Sequence, residues 1–418
     1  MNDIDGAIGD RAIKAAIKDI TFGIIVSRGF EHVAVQQLRE MIGVNDVTVE
    51  DTIVLFKSKS WDDIFRFVYM SQIANRIILL IDAVEFTDED SILKTIGRKL
   101  PSDGFLRQQL VRGIEGFRVS VKMDEHTDVT YLESEIGGVI LDFAKGEGQE
   151  LKVNLKNPMM NFYTYIHNGT AYLGIDLSDD LTKRDYKIFN NAVSLKGPTA
   201  FGLLTLAGYK PEDVYMNPYC YSGTLEIEAA LYATKTSHRH YNKSFPFMRF
   251  FDNNWDVFFR KVDSAHIEKS GGFSITGADP LLSSITAAVK NAKIAGMESF
   301  IDFRRIDLDW MDIKFEEKSV DKMILFHPGS SKSARNISKD FKQLFYQAAY
   351  ILKDTGSLVI MCLSKDLLMR ESSEYLDMDH ELHVSSGGQS MHVLFFKKKD
   401  IGDVKNIKDV EDGKKDDG

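Results

Sequence analysis

The sequence predicts a mixed α/β protein in which small strand–helix units precede a doubly wound parallel sheet. Three observations carry this expectation. Residues 22–86 run strand, helix, strand, helix, strand with short links, the order of a ferredoxin-like sheet with helices on one face. Residues 117–175 form a second small unit that closes on a hairpin. From about residue 195 strands alternate with helices, which points to a parallel sheet covered on both faces. At 418 residues the chain exceeds one ordinary core, so two or three domains are expected.

In the first unit, 22–26, 52–57 and the apolar run 76–81 read as strands. Residues 30–41 read as a helix with Val33, Val35, Leu38 and Met41 partly on one face, and 60–70 as another. The second unit opens with a strand at 117–121 and a helix at 132–143, which the glycines of 146–148 break. Strands at 152–155, 163–166 and 171–175 follow. Asn168-Gly169 before the last of these is a type I′ turn pair, since both central positions need positive φ. In the third unit the expected strands are 214–216, 273–277, 300–304, 322–326 and 357–362, and the helices 199–208, 224–233, 283–295 and 341–352. Segments 381–385 and 392–397 would close that sheet as an antiparallel hairpin. The expected domains are a helical extension at 1–20, units at 21–113, 114–185 and 186–398, and a disordered charged tail at 399–418.

Composition bounds the function. Hydrophobic residues at 44% and charged residues at 27% exclude a disordered or fibrous class. No stretch reaches the roughly 18 apolar residues that span a bilayer. The N-terminus carries acidic residues where a signal peptide needs positive charge, so a cytoplasmic protein is expected. Two cysteines, Cys220 and Cys362, offer no disulfide framework, and the ten histidines show no His-x-x-x-His spacing, so no metal is expected. The net charge of −10 argues against indiscriminate nucleic-acid binding. A local excess nevertheless lies between 94 and 122, where Lys94, Arg98, Lys99, Arg107, Arg112, Arg118 and Lys122 face only two acids, Asp103 and Glu115. A solvated helix face would produce the same excess.

The middle unit contains YLESEIGGVILDF (131–143), KVNLKNP (152–158) and YTYIHNGTAYLGID (163–176). In order and spacing this resembles the THUMP domain, with Asn154 where that family carries aspartate. GFEHVAVQQLREMIG and SQIANRIILLI resemble the ferredoxin-like domain that accompanies it. LTKRDYKIF (181–189) and SLKGPTAFGLLTLAGYKPEDVYMNPYCYSGTLEIEAA (194–230) resemble the entry into the family's Rossmann-like methyltransferase domain. The resemblance implies a tRNA or rRNA substrate, S-adenosylmethionine as donor, and often methylation of guanine N2. It assigns the basic 94–122 stretch, together with Lys156, to RNA binding.

The resemblance places the cofactor on Asn217, Tyr221, Ser222, Gly223, Thr224, Asp279 and Asp307. Ser222-Gly223-Thr224 can present backbone N–H groups near a helix start. Asn217 stands where the family uses aspartate, and Tyr221 where it uses glycine; if position 221 needs positive φ, a side chain there costs roughly 1–3 kcal/mol. Asp279 would bond ribose hydroxyls, and Asp307 would face the adenine amine. The family's Asn/Asp-Pro-Pro-aromatic motif, which orients the target amine and stacks the base, is read here as Phe326-His327-Pro328-Gly329. Only Pro328 persists. His327 would act as an acceptor or base, and Phe326, after a register shift, would supply the stacking face. These departures put first a reading as a tRNA-binding family member with reduced or absent methyl transfer. An active S-adenosylmethionine-dependent guanine-N2 methyltransferase is the alternative, and a scaffold pairing with an intact methyltransferase as protein partner comes third.

Overall fold

The computed structural model describes residues 20–111, 114–123, 129–190, 194–266, 272–329, 334–372 and 374–399. The expected N-terminal helix, apart from Ile20, and the charged tail beyond residue 399 lie outside them. Two compact units divide the chain, one of 1–182 with 239–265 and one of 183–238 with 266–418.

The first unit holds β1 (Thr21–Ile25), α1 (Glu31–Ile42), β2 (Val47–Glu50), β3 (Ile53–Lys57), α2 (Trp61–Met70) and β4 (Arg76–Glu85). It continues with α3 (Glu89–Ser102), α4 (Gly104–Val111), β5 (Phe117–Met123), α5 (Thr130–Gly146), β6 (Met160–His167) and β7 (Thr170–Asp176). Its sheet runs β2-β3-β1-β4-β7-β6-β5. The first four strands, all antiparallel neighbours, have the ferredoxin-like arrangement. Strand β2 is absent from the sequence reading because Val47 is its only residue that is not exposed, which leaves no apolar alternation to detect. Strand β4 pairs with β1 through its first half and with β7 along most of its length, so both expected small units share one sheet.

Residues 152–155 depart from expectation: they make a single bridge, Val153 to Phe117, and no strand. Asn154 bends the chain, its Oδ1 accepting from the N–H groups of Lys156 at 3.2 Å and Asn157 at 3.0 Å. At the hairpin, Asn168 and Gly169 take φ of 46° and 73°, as a type I′ turn requires. The segment 239–265 joins this unit although it interrupts the second in sequence. It carries α8 (Trp255–Asp263) and anchors itself on α2 by aromatic contacts. Phe247 stacks on Phe65 with centroids 4.6 Å apart, Phe251 meets Trp61 at 4.4 Å, and Tyr69 donates to Asp263 at 2.8 Å.

The second unit holds α6 (Gly197–Leu206), β8 (Val214–Asn217), α7 (Thr224–Thr234), β9 (Ser274–Asp279), α9 (Leu282–Ala295), β10 (Asp302–Arg305) and the short α10 (Met311–Lys314). Then come β11 (Val320–His327), α11 (Ala334–Ile351), β12 (Leu352–Cys362), α12 (Asp366–Ser372), β13 (Leu376–Ser386) and β14 (Gln389–Lys398). The order is β10-β9-β8-β11-β12-β14-β13, with the first five strands parallel and β14 antiparallel to both neighbours. The chain leaves β8 towards β9 on one side and returns to β11 on the other. A crevice therefore opens at the carboxyl ends of β8 and β11, the topological switch point. The entry segment is tied down by Arg184, whose Nε donates to Glu228 at 2.7 Å, with Tyr186 donating to the same oxygen at 2.7 Å. A Cβ on Gly197 would lie 2.2 Å from the Arg184 Nε, so only glycine fits there.

Candidate cofactor and substrate site

Asn217 ends β8 fully buried, and its amide is committed on both sides. Its Nδ2 donates to Glu226 Oε1 at 2.7 Å, and its Oδ1 accepts from Tyr219 N–H at 3.0 Å. Glu226 sits on the first turn of α7 with no exposure, and burial pushes its carboxyl up to about 8. The asparagine therefore has a local cause. An aspartate at 217 would set two carboxyl groups against one another in the core, whereas an amide donates to the acid. Sequence reasoning missed Glu226 because an acid inside a helix looks like a solvated face until burial is known.

The turn that follows is strained as anticipated. Tyr221 takes φ of 49° and its N–H donates to Asp279 Oδ2 at 3.2 Å. This left-handed backbone disfavours a side chain by roughly 1–3 kcal/mol, and the contact to Asp279 helps to hold it. Burial raises the Tyr221 phenol, with the Asp279 charge adding to it. Gly223, with φ of 80°, starts α7, and a Cβ there would fall 2.9 Å from that of Ala288 and 3.0 Å from the Phe303 ring. Ser222 is buried and its carbonyl accepts from Asn291 Nδ2 at 3.0 Å; Thr224 is the first helical residue.

Asp279 ends β9, with Oδ1 accepting from Leu281 N–H at 2.9 Å, and burial raises its carboxyl. Tyr221 N–H and the Ser284 side chain also bond this carboxylate, which is almost fully buried. Asp307 lies exposed in the loop after β10. Burial raises the Tyr219 phenol, and the charges of Asp340, Asp279 and Asp307 add to it. Leu281 and Leu282, 61% and 60% exposed, offer an apolar surface directly after Asp279. Tyr219, Leu281 and Asp340 carry no motif signal. The donor set, carboxylates beside an exposed apolar surface, fits an adenosine-bearing cofactor. A neighbouring pocket of about 450 Å³ is lined by Phe189, Asn190, Leu282, Ser283, Thr286 and Lys290, away from the predicted walls.

On the acceptor side, β11 runs through His327, so the histidine occupies the strand's carboxyl end. Its ring meets Phe341 edge-on at 4.8 Å, and its Nδ1 accepts from Gly329 N–H at 3.4 Å. Phe326 is 6% exposed, which removes it as a stacking surface for a base. Pro328 is half-buried, and Gly329 takes φ of 98° with open space around it.

The basic residues separate into groups within the first unit. Lys94, Arg98 and Lys99 lie on α3, where Asp90 is 3.5 Å from Lys94 and Asp82 is 3.4 and 3.2 Å from Arg98 and Lys99. Arg107 on α4 reaches Glu147 at 3.1 Å. Arg118 and Lys122 are exposed on one face of the edge strand β5, and Lys156 is exposed in the turn after 154. Arg112 lies outside the described residues.

A seven-stranded sheet with this strand order and a crevice at its switch point defines the class of Rossmann-like methyltransferases. Residues 184–390 match the family model described as the RMKL-like methyltransferase domain, which places that part of the chain in the family. The chain is 23% identical over 383 residues to tRNA (guanine(6)-N2)-methyltransferase of Methanocaldococcus jannaschii, covering 89% of this chain and 98% of that protein. Its fold is similar to TrmN from Thermus thermophilus, with TM-score 0.68 and 17% identity over 91% of this chain and all (100%) of the other. It is also similar to SMU.472 complexed with SAH, with TM-score 0.75 and 17% identity over 91% and 99%.

Proposed function

We propose that the chain is an active S-adenosylmethionine-dependent RNA methyltransferase whose substrate is tRNA and whose target is guanine N2. The observation that carries this is the collinear similarity to a tRNA guanine-N2 methyltransferase through 98% of that protein's length. It favours the alternative over the reading put first from sequence. The expectation of lost methyl transfer loses its support where its grounds are local. Asn217 is matched to buried Glu226, and the turn at Tyr221 is held by Asp279.

In this reading Asn217, Tyr221, Ser222, Gly223 and Thr224 shape the donor loop, while Asp279 and Asp307 take hydroxyl and amine donors and Leu281 covers the base. When bound, the cofactor supplies an electrophilic methyl group. His327, beside Pro328, would accept a hydrogen bond from the exocyclic amine of the base after a change of tautomer. With Nδ1 accepting from Gly329, Nε2 of a neutral ring carries the proton. Presenting an acceptor means exchanging that tautomer, and the contact given up is a long one at 3.4 Å. Arg118, Lys122 and Lys156, with the α3 cluster, would contact phosphates, which gives shape-based rather than sequence-based recognition. No helix among the described residues is long and apolar enough to cross a membrane.

Calorimetric titration with S-adenosylmethionine, followed by labelled-methyl transfer to native tRNA, tests the reading. Saturable cofactor binding and label in N2-methylguanosine are expected. Folded protein that binds no cofactor would sink the proposal. Cofactor binding without transfer to any native RNA would restore the non-catalytic reading.

A further inference from the structure

The hairpin that closes the second sheet gathers three metal-ligating side chains. Glu381 and His383 are two residues apart on β13, so they share a face. His392 on β14 stands in register opposite His383 and joins the same face. One ligand atom from each lies within 4.8 Å of the other two. Glu381 Oε1 is 2.5 Å from His392 Nδ1 and 3.4 Å from His383 Nε2, so one carboxylate oxygen serves both imidazoles. The other oxygen, Oε2, is held by Lys365 Nζ at 2.5 Å. Such an outer partner orients a ligating carboxylate and leaves a defined oxygen for a metal. Glu381 and His392 are mostly covered, with side chains 15% and 24% exposed, whereas His383 is open at 63%.

We propose that Glu381, His383 and His392 bind one divalent transition-metal ion of the zinc class, through Oε1, Nε2 and Nδ1. Two imidazoles with one carboxylate suit such an ion, while magnesium and calcium prefer all-oxygen sites. Ligand bonds of about 2.0–2.2 Å place neighbouring ligand atoms roughly 3.3–3.5 Å apart in a tetrahedron. The His383 distance already meets that, and His392 needs an opening of about 1 Å, within reach of side-chain rotation. Three protein ligands leave a fourth position for water. Cys362 stands in register beside His392 on β12 but is fully buried, so it is not among the ligands. The row continues in register through Cys362 to His327 on β11, which sets the ion at the same end of the sheet as the candidate acceptor loop. No linear spacing search finds this set, because its third ligand comes from the partner strand.

The experiment is zinc titration of the untagged full-length protein after chelator treatment and dialysis, repeated with cobalt to read coordination from its visible absorption. One equivalent per chain is expected, with a cobalt spectrum of tetrahedral intensity. His383→Ala, at the exposed ligand, should weaken binding about tenfold or more while leaving thermal unfolding of the metal-free protein unchanged. Glu381→Gln should do the same and serves as the second arm if either variant misfolds. Absence of saturable binding of both ions, or binding that neither substitution weakens, would overturn the site and show the cluster to be an ion-paired surface network. Neither result bears on cofactor binding or on methyl transfer.

Discussion

The loop at 217–224 and the loop at 326–329 face the same crevice but are built in opposite ways. In the first, side-chain and backbone groups are spent on the protein itself. Asn217 bonds Glu226 and Tyr219, Tyr221 bonds Asp279, Ser222 accepts from Asn291, and Gly223 is wedged against Ala288 and Phe303. In the second, Gly329 donates to His327 Nδ1 at 3.4 Å and itself stands in open space. Departures from a family motif therefore mean different things in the two places. In a packed loop a substitution must be answered by another residue, and at 217 the answer is Glu226. In an open loop it changes only what the loop presents.

Substitutions in the donor loop should accordingly register as stability, and those in the acceptor loop as chemistry. The largest expected effect is for Asn217→Asp, which places a second carboxyl group where the amide now donates at 2.7 Å to a buried acid. A loss of about 3 kcal/mol at pH 8 is expected in denaturant unfolding. Adding Glu226→Gln should restore most of it, and an Asn217→Asp protein as stable as the parent would break the comparison.

Next comes Gly223→Ala, at φ of 80° and with a Cβ 2.9 Å from Ala288. It should cost about 2 kcal/mol by urea titration. The third tests Glu226 directly. Its carboxyl rises from 4.5 to about 8 on folding. The neutral form is thus favoured in the folded state, and the stability it contributes is present below about pH 4.5 and lost as pH rises towards about 8. Glu226→Gln should match the parent near pH 5 and exceed it in stability at pH 8, flattening the pH dependence of the melting temperature.

The smallest effect on stability belongs to His327→Ala, below about 1 kcal/mol, for the loss of an edge contact to Phe341. Its effect on methyl transfer should instead be a fall of about 100-fold in kcat. A fall in melting temperature that accounts for the lost activity would show the acceptor loop to be structural after all.

Much of the fold was legible because apolar periodicity reports burial. The strands β1, β3, β8, β9, β11 and β12 and the helices α1, α2, α7 and α9 stand where their hydrophobic patterns place them, and Asn168-Gly169 makes the turn its chemistry demands. Strand β2 escaped because it is an exposed edge strand, and 152–155 misled because alternation persists through a turn imposed by Asn154. The aromatic segment 239–265 gave no sign of belonging to the first unit, since Phe247 and Phe251 would be apolar in any core. Asn217, Tyr221, Gly223, Asp279 and Asp307 were expected at the crevice from their position in a motif, whereas Glu226 and Tyr219 carry no such signal.

What the sequence alone determined is the succession of elements and the motif positions on the crevice, because these follow from local pattern and spacing. Only the tertiary structure decided which charges are buried and which strands stand side by side. Those facts turn an apparently damaged aspartate position into a matched pair with Glu226, and unite Glu381, His383 and His392 across two strands. The physical reason is that the state of an ionisable group depends on its desolvation and its neighbours in space, which linear order does not encode.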